Sequence, residues 1–219
     1  MRPAAARAGE WLGRLLWLAL MVLPVGAGAH PHVFVATGLR LVAEKGRITG
    51  VEVAWQYDEF YSLLVLEDMN LDQDHDGVLS EDELAQLEGF DMNWVEGFEG
   101  DLYLEQDGAP LGLGPPETRG TSFEEGKIVT RHFRAVEGAE AAPVVVRAYD
   151  PTYYTAYDLG LGIEAPENCA VSVSEVDFDA KKRDLLDELA EIPEDGEVPF
   201  PEVGAQFADK VEVTCDAPS

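Results

Sequence analysis

The chain has 219 residues, with 15 Lys and Arg set against 43 Asp and Glu, a formal net charge of −28 at pH 7. Such an acidic balance repels phosphate backbones and anionic bilayers, which excludes nucleic acid and acidic lipid surfaces as partners. The length suffices for one domain with a sizeable core.

Residues 1–29 read as a secretory signal peptide. Arg2, Arg7 and Arg14 supply basic charge, residues 15–25 form an apolar run too short to span a bilayer, and Ala27-Gly28-Ala29 is a small-residue cleavage site. Cleavage between Ala29 and His30 would leave a single exported, periplasmic domain over 30–219. No later stretch is long and apolar enough to cross a membrane, so the mature chain is expected not to be membrane-spanning.

The new amino terminus would be His30-Pro31-His32. His30 then offers an imidazole and an α-amine, whose ordinary pKa is about 8 and so costs little to deprotonate near neutrality. In an extended chain, residues two apart face the same way, which lets His32 join the same ion. Pro31 has no amide hydrogen, so a chelate through the second residue's amide nitrogen is ruled out. Nitrogen donors of this kind suit copper, nickel or zinc. The plain alternative is two surface histidines.

Residues 32–42 and 48–55 are β-rich runs joined by Glu44-Lys45-Gly46-Arg47, which predicts a hairpin. Residues 58–90 then predict a helix–loop–helix around Asp72-Gln73-Asp74-His75-Asp76-Gly77-Val78-Leu79-Ser80-Glu81-Asp82-Glu83, which matches the EF-hand calcium pattern at every specified position. Asp72, Asp74 and Asp76 supply hard carboxylate oxygens at positions one, three and five. Gly77 permits the sharp turn, Val78 offers its carbonyl, Ser80 ligates directly or through water, and Glu83 closes the shell. His75 holds a position that does not ligate. Tyr61, Leu63, Leu64, Leu66 and Met69 make the entering helix apolar; Leu84, Leu87 and Phe90 do so for the exiting one, which Ser80 and Glu83 open with a capping box. A lone hand of this kind outside the cytosol is expected to be a structural clip with a Kd on the order of 10⁻⁴–10⁻³ M.

Further strands are expected over 101–105, 126–135, 144–149 and 170–176, then an amphipathic helix over 180–191 with Leu185, Leu186 and Leu189 on one face. A proline-rich acidic loop over 192–201 and a last strand within 207–215 follow. Cys169 and Cys215 are the only cysteines, and in an exported chain such a pair most simply forms a disulfide. The expected fold is α+β and mostly β: a sandwich-like domain with an inserted EF-hand helix–loop–helix and a C-terminal helix. His132 reads as an ordinary strand residue. Asp58, Glu59 and Asp150 sit among aromatic residues at strand ends, where they cap turns or line a site.

The His-Pro-His-Val start, the Tyr57-Asp58-Glu59-Phe60-Tyr61-Ser62 segment running into the acidic loop, and Tyr149-Asp150-Pro151-Thr152-Tyr153-Tyr154 together resemble an uncharacterised bacterial family. That family, formally a domain of unknown function, is labelled as the periplasmic component of an ABC-type transport system. The resemblance covers essentially the whole mature chain. It implies a periplasmic protein associated with nickel, cobalt or zinc transport, with His30 and His32 as metal ligands and Asp150 and Tyr153 in a shared site. Apart from the resemblance, His132 is a further candidate ligand as the one other mature histidine outside the acidic loop. The expected function is therefore a metal-binding, non-enzymatic accessory of a membrane metal transporter, with one structural calcium. Two alternatives stand beside it: a calcium-stabilised adaptor without a transition metal, and a copper-dependent oxidase built on an amino-terminal histidine chelate. No Ser/His/Asp or Cys/His arrangement and no phosphate-cradling glycine loop is visible in the sequence.

Overall fold

Three two-residue turns set the strand registers. Lys45-Gly46 (φ 53° and 78°), Asp107-Gly108 (52° and 77°) and Glu125-Gly126 (52° and 79°) each place both central residues in the left-handed region. That backbone twist matches the twist of the strands it joins. The first turn closes β1 (Val33–Glu44) onto β2 (Arg47–Tyr57), with Glu44 opposite Arg47, as the sequence predicted. The second joins β3 (Leu102–Gln106) to β4 (Ala109–Pro110), and the third joins β6 (Glu117–Glu124) to β7 (Lys127–Glu137).

The computed structural model of the chain describes residues 32–190 and 202–216. The expected signal peptide, His30 and all of the acidic loop over 192–201 lie outside them. Within the described residues, one sheet runs β5 (Gly112–Leu113), β7, β2, β1, β9 (Thr155–Glu164), with β6 also paired to β7. The other runs β10 (Cys169–Ser174), β11 (Lys210–Cys215), β8 (Val144–Ala148), β3, β4. All pairings are antiparallel except β1 with β9. The chain passes from one sheet to the other at Leu111, whose N–H donates to the Leu104 carbonyl at 2.8 Å.

Alternation along the strands supplies the core. Val35, Leu39, Val51 and Val53 from the first sheet join Leu102, Leu104, Val144, Val146, Val211 and Val213 from the second in one apolar cluster. Burying side chains of this size contributes on the order of 1.5–3 kcal/mol each. Cys169 and Cys215 lie directly opposite on β10 and β11 and form the expected disulfide.

Among the described residues three α-helices accompany the sheets: α1 (Glu59–Asp68), α2 (Glu81–Leu87) and α3 (Phe178–Ala190). The fold is thus mostly β with two sheets and three helices, as expected. Strands β6 and β9 were not anticipated. Helix α3 falls where expected, but Leu186 is 57% exposed and does not belong to a buried face. No helix among the described residues is long and apolar enough to cross a membrane.

Candidate functional site

The 72–83 loop hangs between α1 and α2. Its acids already act on the loop's own backbone. Asp72 carboxylate oxygens accept from the amides of Asp76 (3.1 Å) and Gly77 (3.2 Å), and Asp76 accepts from Val78 N–H at 2.8 Å. Asp72 (φ 49°), His75 (55°) and Gly77 (75°) take left-handed conformations, which curl the segment inward. The result brings carboxylate oxygens of Asp72, Asp74 and Asp76 within 4.8 Å of one another, a group able to hold a metal ion. At that spacing, three unit charges repel strongly enough to favour a cation among them.

Glu83 closes the loop from the far side. One oxygen accepts from the Asp72 N–H at 3.0 Å, and the other from the Ser80 N–H at 2.9 Å and hydroxyl at 2.7 Å. The Ser80 hydroxyl oxygen in turn accepts from the Glu83 N–H, so the capping box expected at the start of α2 is present. These donors, the Ser80 backbone first, hold the Glu83 carboxyl below its ordinary pKa. Leu71 and Leu79, on either side of the acids, are buried and anchor the loop to the core, while Val78 is exposed.

The amino-terminal junction lies at the other end of α1, about 15 Å away by helix rise. Here the structure brings together segments far apart in sequence. His32 N–H donates to the Tyr154 carbonyl at 2.8 Å, and the two rings stand 4.9 Å apart. Asp58 caps α1 by accepting from Tyr61 N–H at 2.9 Å, and its other oxygen accepts from Phe34 N–H at 2.8 Å. Asp150 accepts from Thr152 N–H and hydroxyl with one oxygen and from Thr155 N–H with the other. Both acids therefore fix backbone turns. Tyr153 points elsewhere, stacking on Phe207 at 4.6 Å, so Tyr154 rather than Tyr153 is the tyrosine beside His32.

His132 stands apart from both places. It is fully buried on the inward face of β7, with Trp55 at 4.7 Å and Trp94 at 5.8 Å, both edge-on. Neither ring nitrogen has a hydrogen-bond partner among the described residues. Burial, with Arg134 as a lesser cause, lowers its pKa to about 4, so the ring is neutral at pH 7.

A family model described as "Protein of unknown function (DUF1007)" matches residues 15–215. The chain belongs to the DUF1007 family. No curated protein and no solved structure matches it.

In this DUF1007 chain, several residues that tie the segment after α2 to the sheet carry no signal in the sequence. Asp91, just after α2, accepts from Tyr57 hydroxyl at 2.8 Å and Thr130 hydroxyl at 2.6 Å, and burial raises its pKa. Trp94 donates its indole N–H to the Asp91 carbonyl and lies 4.7 Å from the Arg134 guanidinium. Arg134 in turn donates to the Glu99 carbonyl at 3.0 Å. A second tyrosine–carboxylate pair, Tyr157 to Asp101 at 2.8 Å, sits across the core, and burial raises Asp101 to about 7. Only long-range bonding marks these residues out; nothing in their local sequence does.

Proposed function

We propose that this DUF1007 protein is an exported, periplasmic accessory of a transition-metal transport system, with one structural calcium in an EF-hand over 58–90. Asp72, Asp74, Asp76, Val78, Ser80 and Glu83 ligate the calcium; His30 and His32 at the processed amino terminus bind nickel, cobalt, zinc or copper. The observation that carries the reading is the convergence of three carboxylates within 4.8 Å in a loop whose twelve residues follow the calcium pattern. The transition-metal part draws support from the place of His32, which opens β1 beside Tyr154, where the three family motifs meet.

Elemental analysis of protein purified with its natural amino terminus tests the reading. The expected result is one calcium and near-stoichiometric nickel, cobalt, zinc or copper, the latter lost on His30→Ala with His32→Ala. Calcium alone, persisting after a challenge with each transition metal, would leave the second reading, a calcium-braced adaptor that docks on a membrane transporter. One feature favours that reading specifically: Phe34, Phe60, Leu63, Leu64 and Tyr154 are all about half exposed or more around α1 and the amino-terminal junction. Absence of calcium would overturn both.

A further inference from the structure

Helix α1 carries apolar side chains on more than the face it buries. Leu66 and Ser62 turn into the core, while Phe60 (67% exposed), Leu63 (51%) and Leu64 (49%) face outward. A surface helix ordinarily fills that side with charged residues, and a helix apolar all round is one that something covers. Beside these residues, the space between α1 and α2 forms an open groove of about 680 Å³, lined by Tyr61, Leu64, Val65, Met69 and Phe90, with Asp68 and Gln86 at its polar edge. It is wide enough for several large apolar side chains.

The charge around the groove is one-sided. Between Arg47 and Arg119 the sequence has no Lys or Arg at all, and both helices and the loop joining them fall inside that span. Glu67 and Asp68 are exposed at the end of α1, and Asp82 is exposed one turn before Gln86 on α2. An apolar slot with an uncompensated acidic rim fits an apolar stripe flanked by cations. A second copy of the chain would bring the same acidic surface, and anionic lipid is repelled.

We propose that the groove between α1 and α2 docks a cationic amphipathic helix of a partner protein. Its apolar side chains at helical spacing enter against Leu64, Val65 and Phe90, and its Lys and Arg meet Asp68 and Asp82. The proposal goes beyond the reading of metal binding and needs neither His30 nor His32.

The test uses two labelled helical peptides, one of Leu and Lys and one of Leu and Glu in the same pattern, titrated in calcium buffer and read by fluorescence anisotropy. The form starting at His30 should bind the Leu/Lys peptide and not the Leu/Glu peptide. Leu64→Gln with Phe60→Gln should weaken binding by roughly tenfold or more, whereas Leu186→Gln on α3 should leave it unchanged. All three changed residues are largely exposed, and unaltered thermal transitions would show that the variants fold. Equal binding by the Leu64/Phe60 variant would mean that charge alone holds the peptide and would overturn the proposal. So would equal binding of both peptides. Binding by the His30 form but not by the full chain would instead assign the groove to the chain's own residues 1–29. Partitioning into phosphatidylcholine vesicles, lost in the groove variant, would assign it to a lipid surface.

Discussion

His132 provides the sharpest quantitative prediction. Its pKa is about 4 in the folded chain, against about 6.5 unfolded. The unfolded state therefore takes up the proton first as pH falls. The stability that goes with a neutral His132 is fully present above pH 6.5 and is lost progressively as pH falls from there to 4. At pH 4.5 the loss amounts to about 2.5 kcal/mol. Asp101 works in the opposite sense: with a folded pKa of about 7, it stabilises most below its unfolded value of about 3.9 and loses that contribution as pH rises to 7. In the native protein the two oppose each other, so its own pH profile does not reveal either. Comparison with His132→Leu removes one and leaves the other. Urea midpoints for both proteins at pH 7.5, 6, 5 and 4.5 (about the span of the two unfolded and folded values) give the difference directly. The variant should gain about 2.5 kcal/mol on the native protein between the highest and lowest pH. Parallel profiles would refute the account, because they would mean that His132 titrates alike folded and unfolded.

Asp74→Ala should abolish the thermal shift produced by calcium while leaving the calcium-free transition nearly unchanged, since no hydrogen bond of Asp74 contributes to the loop's own network. For the native chain at ten times Kd, calcium should add about 1.4 kcal/mol, or a few degrees in Tm. Replacing Cys169 and Cys215 with Ser opens a loop spanning 46 residues, and the denaturant midpoint should fall by about 4 kcal/mol worth of stability in the chain-entropy account. Gly204→Ala would drive a Cβ to 1.7 Å from the Asp150 carbonyl oxygen; a loss of more than about 2 kcal/mol is expected, read by thermal melting.

How much the sequence revealed varied with how local the cause was. The Lys45-Gly46 turn, the Ser80–Glu83 capping box and the 72–83 loop rest on neighbours within a dozen residues; the turn and the capping box appear in the folded backbone, and the loop brings Asp72, Asp74 and Asp76 together. Strand β6 was missed because Glu117-Thr118-Arg119-Gly120 shows no buried alternation. Strand β9 was missed because Gly160 and Gly162 read as turn residues while the strand is held by its parallel pairing with β1. In β7 the inward row is Ile128, Thr130, His132 and Arg134. That row is the more polar of the two, because Asp91, Trp94 and the Glu99 carbonyl cover it instead of an apolar sheet. No single-sequence rule would have turned those side chains inward. The residues proposed for a transition metal divide likewise: the structure shows what holds the turn of Asp150, and it places His132 and Tyr153 away from His32.

The order of strands also governs when the chain can fold. Strand β1 is the first to leave the ribosome, yet its second neighbour, β9, lies well over a hundred residues downstream. In the other sheet, β11, the last of the described strands, is inserted between β10 and β8. Neither described sheet has its full set of strands until the far partner, β9 or β11, has been made, and loop closure over such separations is slow. A nascent chain is therefore held open by its own topology. Removing even the last dozen residues should leave β8 and β10 without the strand that joins them.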